Sequence, residues 1–231
     1  MKKMIIDNEI FQNIPSLSIG IVIVRDIDNS KTIDLKEEFS TISEKIIQKF
    51  AEVELSEYPV IRNWRNVYKS FGEKKNRSSI EALIRRIING KELPSINPLV
   101  DIYNLISLRY EMPCGGEDLS TIDSDIELSY SNGDEIFFPL GSEEKETPNQ
   151  GEIIYKFGNH VICRSFNYRE SDLTKLTEKT SSAILVIENL NADRNTLNSA
   201  LSELSIMVND NLGGSSEIVI LDETNNETEI G

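Results

Sequence analysis

Five consecutive apolar residues, Ala183 to Ile187, end abruptly at a glutamate and an asparagine. A run of this length without a polar residue is too apolar to face water, so it predicts a buried β-strand. Residues Ser18 to Val24 are equally apolar and rich in β-branched side chains, which indicates a second buried strand. The chain is therefore expected to build a sheet whose inner strands are covered by other elements.

Helical patterns dominate the first half of the chain. Residues 35–55 and 61–71 carry apolar side chains at helical spacing. Ser78 stands three positions ahead of Glu81, a capping-box signature that opens a helix ending near residue 88. The Asn97-Pro98 pair then starts a fourth helix, residues 99–109.

From residue 112 onward the pattern changes to short strands and turns. A hairpin is predicted from residues 126–130 to residues 135–140 across the Asn132-Gly133 turn, and another from residues 152–155 to residues 161–166. An amphipathic helix, residues 193–208, and a short strand, residues 217–221, follow. This order predicts an α+β fold, a mostly antiparallel sheet with surrounding helices, rather than alternating β-α-β units.

No convincing linker divides the 231 residues, so we predict a single domain over residues 1–231. Residues 1–60 form an N-terminal strand–helix extension of this domain, and the acidic tail, residues 222–231, is expected to be frayed. No apolar run approaches the length of a membrane helix, and no secretory signal is recognisable, so we expect no membrane association. Two cysteines outside any CxxC spacing fit a reduced, cytoplasmic compartment.

The net charge of −15 is unevenly distributed. Residues 62–91 contain nine basic residues against two acidic ones, a net charge of +7, so the rest of the chain carries −22. We call residues 62–91 the basic strip, and Lys74, Lys75 and Arg77 are its candidate RNA-binding residues. Such a strip could orient one phosphate backbone, or it could be an ordinary solvated helical face, whereas the acidic remainder argues against nonspecific coating of DNA.

Several chemistries lack their usual sequence signatures. The single histidine, His160, sits in a predicted turn, and no HExxH motif or cysteine pair offers a metal site. No GxxxxGK[ST] or GxGxxG loop is present. We therefore expect no metal and no cofactor.

A series of motifs points to one family. The stretch from Leu93 to Asn104 (LPSINPLVDIYN) is followed by Pro113 and Asp118, then by a strand-turn-strand pattern, and later by the apolar strand that ends in Glu188. Over about residues 64–190 this series resembles the editing (B3/B4) domain of the phenylalanyl-tRNA synthetase beta subunit. The resemblance implies a B3/B4-like fold and a free-standing domain that recognises tRNA or aminoacyl-tRNA and hydrolyses mischarged tRNA.

Carried over residue by residue, the resemblance makes Glu188 the candidate catalytic residue. The candidate substrate-binding residues, which would hold an amino-acid ligand, are Asn104, Gly115, Gly116, Asn167, Arg169 and Glu170. An aminoacyl ester is already activated, so a site need only hold it, position one water and stabilise the oxyanion. Alternatively, Glu188 forms a salt bridge with Arg164 or Arg169, and the two glycines form a plain tight turn.

Two positions depart from the family pattern. Gly115 stands where the family usually has a histidine, and Pro94 stands where it has an arginine. Residues 166–170 replace a glycine-rich segment that shapes the family's pocket, which should alter side-chain selectivity. A second hypothesis therefore stays open, a module that binds an amino acid or another small molecule without chemistry, and a third is a regulatory partner of a basic protein surface.

Overall fold

The computed structural model describes residues 1–191 and 193–231, and within them the chain folds into six α-helices and eleven β-strands. The helices are α1 (Asn8–Asn13), α2 (Lys36–Lys49), α3 (Pro59–Ser70), α4 (Ser79–Ile88), α5 (Pro98–Tyr110) and α6 (Arg194–Leu212). The strands are β1 (Lys3–Ile6), β2 (Ser18–Arg25), β3 (Cys114–Asp118), β4 (Ile126–Tyr130), β5 (Ile136–Phe137), β6 (Ile153–Phe157), β7 (His160–Arg164), β8 (Arg169–Glu170), β9 (Ser182–Asn189), β10 (Ser215–Leu221) and β11 (Glu227–Glu229). The predicted α+β class is confirmed.

The smaller sheet is antiparallel throughout, with strand order β10-β2-β9-β3. The two apolar runs of the sequence form its inner strands β2 and β9, as predicted. One face packs against α5 and α6 through residues such as Val22 and Leu185. Helix α6 comes so close that a Cβ on Gly20 would lie 2.7 Å from Leu201 Cδ1, so this position requires glycine.

The larger sheet has seven strands in the order β11-β1-β4-β6-β7-β5, and β8 pairs with β7. Its apolar face meets the second face of the smaller sheet in one core, where Met4 and Leu128 join Ile21 and Ile184. Helices α3 and α4 cover the same core with side chains that include the buried Trp64. The strands β6 and β7 form the second predicted hairpin, as expected from the sequence.

The first predicted hairpin is wrong. Strand β4 pairs with β1 and β6, whereas β5 pairs in parallel with β7. The turn between β4 and β5 is closed by a side chain instead, because the buried Glu135 carboxylate accepts hydrogen bonds from the Ser131 hydroxyl (2.6 Å) and from the backbone N–H groups of Asn132 and Gly133. These bonds satisfy the turn locally, and β4 is left free to pair with strands distant in sequence.

Both chain ends also differ from expectation. The tail predicted to be frayed forms β11, which pairs with β1, and its Ile230 side chain is fully buried. Residues 1–60 are not an appendage either, since they contribute β1 to the larger sheet and β2 to the smaller one. The acidic residues of the tail predicted solvent exposure, but side chains alternate between the two sides of the chain end and Ile230 points into the core.

One predicted helix ends earlier than expected, and another lacks part of its predicted cap. Helix α2 ends at Lys49, several residues earlier than the sequence pattern indicates. Helix α4 begins as predicted, with the Ser78 hydroxyl accepting a bond from the Glu81 N–H. The reciprocal half of the capping box is missing, because the Glu81 carboxylate binds Arg65 and Arg85 instead.

Candidate functional site

A narrow cavity lies between the two sheets, at the level of β3 and β9 on one side and β6 and β7 on the other. It has a volume of about 30 Å³, room for roughly two water-sized groups. Most of the lining is apolar. Its polar and glycine positions are Gly115, Gly116, Glu117, Tyr155, Asn167, Glu170 and Glu188.

Glu188 occupies the cavity because strand β9 alternates. Ile184, Val186 and Glu188 point toward the larger sheet, whereas Leu185 and Ile187 point toward the helices. Glu188 Oε1 accepts a hydrogen bond from the Tyr155 hydroxyl at 2.9 Å, and Oε2 accepts one from Asn167 Nδ2 at 2.8 Å. Its carboxyl therefore bridges the two sheets.

The pKa of Glu188 rises to about 8 because burial disfavours its charged form. The two donated hydrogen bonds favour the carboxylate and oppose that rise. A nearby glutamate, Glu170, raises the pKa further. The predicted salt bridge from Glu188 to Arg164 or Arg169 does not form, since both arginines bind Glu146.

Asn167 is held in place by a strained backbone turn. The two preceding residues, Ser165 (φ 48°) and Phe166 (φ 68°), both adopt left-handed conformations that are costly for residues with side chains. Asn167 Oδ1 accepts hydrogen bonds from the Tyr68 hydroxyl at 2.8 Å and from the Ser79 N–H at 3.2 Å. The Asn167 amide group is thereby oriented with its NH₂ toward Glu188.

A buried carboxylate stabilises the strained turn. Glu152 Oε1 accepts bonds from the backbone N–H and the hydroxyl of Ser165, at 2.9 and 2.8 Å. Arg164 holds the same carboxylate through two nitrogens, Nε at 3.0 Å and Nη2 at 2.7 Å. Although burial favours protonation, these partners lower the pKa of Glu152, so it is a fixed negative charge beneath the turn.

Two further glutamates face each other in the cavity, Glu117 from β3 and Glu170 from β8. Burial raises the pKa of both carboxyls, and the charge of Glu170 raises that of Glu117 well above its usual range. Burial together with the same two charges also raises the pKa of Tyr103, on α5. Burial and the proximity of the two carboxyls thus both favour the protonated form of the pair.

Five of the seven predicted catalytic and substrate-binding residues line this one cavity. They are Glu188, Gly115, Gly116, Asn167 and Glu170. The glycines do not form a bend, because they belong to β3, where Gly115 pairs with Val186 and Gly116 with Leu185. They therefore lie beside β9 rather than opposite it.

The other two predicted substrate-binding residues lie elsewhere among the described residues. Asn104, on α5, is not part of the cavity lining. Arg169 binds both carboxylate oxygens of Glu146 at 2.8 Å and stacks over Phe137. Asp101, which shares the α5 segment, accepts bonds from Ser95 and Ile96 and so braces the start of the helix.

Sequence reasoning missed two cavity residues, Glu117 and Tyr155. Glu117 stands two positions after Gly115, so assigning a strand there would have placed both on one face. Tyr155 lies on the same face of the predicted strand as Ile153 and Phe157. Which face of that strand meets β9 was not readable from local pattern.

The basic strip is divided by the fold. Glu81, fully buried, is bound by Arg65 and Arg85, which removes two cations from the solvated surface. The exposed cations of the strip lie on α3, on the following loop and at the end of α4. They are Arg62, Lys69, Lys74, Lys75, Arg77, Arg86 and Lys91.

A smaller cleft adjoins the cavity, and Glu188 lines both. Its other walls include Asn63 and Trp64 from α3, Asn189 at the end of β9, and Asn191 just after that strand. Glu188 therefore separates an inner cavity from an outer cleft beside the helix that begins the basic strip.

Comparison with known proteins gives one family and a set of related solved structures. The profile of the B3/4 domain family matches residues 63–205. No curated protein matches the chain. Among solved structures, an N-terminal fragment of the phenylalanyl-tRNA synthetase beta subunit from Pyrococcus horikoshii matches with 14% identity and a TM-score of 0.45.

That match covers 91% of this chain and 49% of the fragment, so the chain spans about half of the fragment's length. Among residues 1–191 and 193–231, no helix combines the length and apolar character needed to cross a bilayer. The family profile spans more than half of the chain and includes every polar and glycine residue named above as lining the cavity. The chain belongs to the B3/4 domain family.

Proposed function

We propose that this chain binds the aminoacyl end of a charged tRNA and hydrolyses its ester bond, with Glu188 as the catalytic residue. The observation that carries the proposal is the placement of Glu188, a buried carboxyl held by Tyr155 and Asn167 at the boundary of a cavity and a cleft. Membership of the B3/4 family and the resemblance to a synthetase editing domain support the same reading.

The proposed chemistry requires one water and one base. The Glu188 carboxylate takes a proton from the water, whose oxygen forms a bond to the ester carbonyl carbon. The bond from that carbon to the ribose oxygen then breaks, and the ribose oxygen leaves with the proton that Glu188 took from the water, which restores the carboxylate. A carboxyl whose pKa is about 8 suits this role, because a base is most effective when its pKa lies near the working pH.

The outer cleft supplies a route for the tRNA end. Asn63 in the cleft wall is next to the exposed Arg62, so the cleft opens beside the basic strip. Phosphates held along the strip would bring the 3′ end toward Glu188 from this side. The exposed Asn191 offers an amide group for the terminal nucleoside.

The test is deacylation of a panel of mischarged tRNAs that includes tyrosine on the phenylalanine tRNA. We expect release of free amino acid from at least one of them, and a rate roughly 10²- to 10⁴-fold lower with Glu188→Gln. Glu143→Gln is the matched control, because Glu143 is exposed in the loop after β5. A panel that stays fully intact with the native chain would remove hydrolysis from the proposal.

A second candidate function is binding of a small molecule without chemistry. It is favoured by the small cavity, about 30 Å³, and by the full pairing of both Glu188 oxygens. Calorimetry against free amino acids and amines separates the two candidates. Saturable binding with no deacylation and no effect of added tRNA would favour this one.

A further inference from the structure

The ionisable acidic side chains that line the cavity have no basic partner there in the described part of the chain. Three glutamates line it, Glu117, Glu170 and Glu188, whereas no lysine, arginine or histidine does so among the described residues. The neighbouring arginines do not help, since Arg164 and Arg169 bind Glu146 and Glu152. A buried acidic group without a cation is costly, and it must either hold a proton or bind a cation from outside.

A second, independent observation concerns the hydrogen bonding of the Glu170 carboxyl. Its Oε2 atom is buried and has no hydrogen-bond partner in the described part of the chain. Its Oε1 atom lies 3.5 Å from where a Cβ on Gly115 would stand, so the glycine keeps the space around this carboxyl open. Buried polar atoms are nearly always paired, so an orphan beside an open space indicates a missing ligand group.

Protonation of the pair would remove the repulsion between the two carboxylates. Burial raises the pKa of both Glu117 and Glu170, and the two carboxyls repel each other when ionised. Both effects favour the protonated form of the pair. An entering cation would replace a proton, since it stabilises the carboxylate form.

We propose that Glu117 and Glu170 bind the ammonium group of a primary amine, and that the cavity selects amines without a neighbouring carboxylate. The ligand class is therefore an amino-acid ester or amide, or a simple alkylamine, in preference to a free amino acid. A free amino acid would bring its own carboxylate into a cavity that already contains three carboxyl groups. The ester version rests on the proposed function, whereas the preference for amines stands by itself.

The size of the cavity fits this assignment. Its volume of about 30 Å³ admits an ammonium group and the carbon that carries it, each close to a water molecule in size. A bulky side chain would have to remain outside or displace the Phe166 ring, which packs edge-on against Trp64 and Tyr155. In this arrangement the ammonium group binds Glu117 and Glu170, and Glu188 remains available to take a proton from the attacking water.

The inference is tested by calorimetry with alaninamide, ethylamine and alanine on the full chain. We expect alaninamide and ethylamine to bind at least roughly tenfold more tightly than alanine. Titrations in two buffers of different ionisation enthalpy should show a proton released on binding, because the amine displaces it from the pair. Equal binding of alanine and alaninamide, or no binding of either amine, would overturn the inference.

Variants locate the site. Glu117→Gln and Glu170→Gln keep the shape of a protonated carboxyl, so we expect folded proteins that bind alaninamide at least roughly tenfold more weakly and release no proton. Gly115→Ala is a second test, since its methyl group fits at 3.5 Å from Glu170 Oε1 and fills the space. The exposed Glu143→Gln is the control. Unchanged affinity in all three cavity variants would make the pair a structural feature only.

The two proposals fail separately. Amine binding with every mischarged tRNA left intact would retain the ammonium site and remove the hydrolytic function. Deacylation without any preference for alaninamide over alanine would do the reverse.

Discussion

The Tyr155 hydroxyl donates a hydrogen bond of 2.9 Å to Glu188 Oε1, from one sheet to the other. Tyr155 lies on β6 and Glu188 on β9, so this bond crosses the core between two sheets that meet mostly through apolar side chains. A polar bond in such a place fixes the relative position of the sheets and orients the carboxyl at the same time. Structure and proposed chemistry therefore depend on one group.

The first prediction concerns the pH dependence of stability. The pKa of Glu188 is raised from 4.5 to about 8 in the folded state, so the folded chain binds more protons than the unfolded chain between these values. The free energy of unfolding must therefore fall as the pH rises through this range, by up to about 5 kcal/mol for this group. Glu188→Gln removes the effect, and urea unfolding at about pH 5 and about pH 9 measures it.

The pKa values of Glu117 and Glu170 are shifted in the same direction, but both residues are present in both proteins, so most of their contribution cancels in the difference. The free energy of unfolding of Glu188→Gln, relative to that of the native chain, should therefore increase as the pH rises. A difference that stays constant from about pH 5 to about pH 9 would contradict a raised pKa at Glu188.

The second prediction concerns the hydrogen bond from Tyr68 to Asn167. Tyr68→Phe removes the 2.8 Å bond in a fully buried position, and the Asn167 carbonyl oxygen keeps only the longer bond from Ser79. We expect a loss of about 1–2 kcal/mol in the free energy of unfolding. Tyr130→Phe is the matched control, since its hydroxyl bonds an exposed Asn13, and a loss of equal size there would contradict the role of burial.

The third prediction concerns the buried Glu152. Arg164→Leu leaves this carboxylate without its cation, which we expect to cost about 3–5 kcal/mol at neutral pH. The pKa of Glu152 is lowered from 4.5, so the stability it supplies is present above that pH and lost as the pH falls. The cost of Arg164→Leu should accordingly shrink in acid.

Arg169→Leu is the control for that experiment. Arg169 shares the partner Glu146 but is more exposed than Arg164, so we expect a loss of under about 1 kcal/mol. Urea unfolding of both variants provides the comparison. Equal losses would show that burial of Glu152 does not decide the energetics.

The fourth prediction concerns the basic strip. Reversing the exposed Lys74, Lys75 and Arg77 to glutamate should weaken tRNA binding by roughly tenfold or more and flatten its salt dependence. The control is reversal of Lys31, Lys145 and Lys179, which are equally exposed and change the net charge by the same amount. Filter binding at several salt concentrations distinguishes the two, and equal effects would indicate only bulk charge.

The parts of the fold that could be predicted were those with strong local patterns. The apolar runs of β2 and β9 are recognisable from the sequence alone. Glu188 directly follows the apolar run of β9. The helices α3 to α5 were read from their spacing and start signals. The five candidate residues that share one cavity came mainly from the family resemblance, which names positions on these same elements and on the turns beside them.

What local pattern could not supply was the pairing between distant segments. The Asn132-Gly133 turn has a hairpin sequence, yet Glu135 satisfies its N–H groups and the strands separate. Tyr155 and Glu117 reach the cavity only because β6 faces β9 from the other sheet and β3 pairs beside β9 in the same sheet. Arg169 was misplaced because nothing in its own segment reveals Glu146.

Strand β1 is flanked by partners that lie far along the chain. Its Met4 is paired with Ile126 on one side and with Thr228 on the other. During synthesis from the amino end, this strand waits unpaired while both partners are made, and closing such long loops costs entropy before any bond forms. Completion of the larger sheet should therefore set the pace at which this molecule reaches its native state.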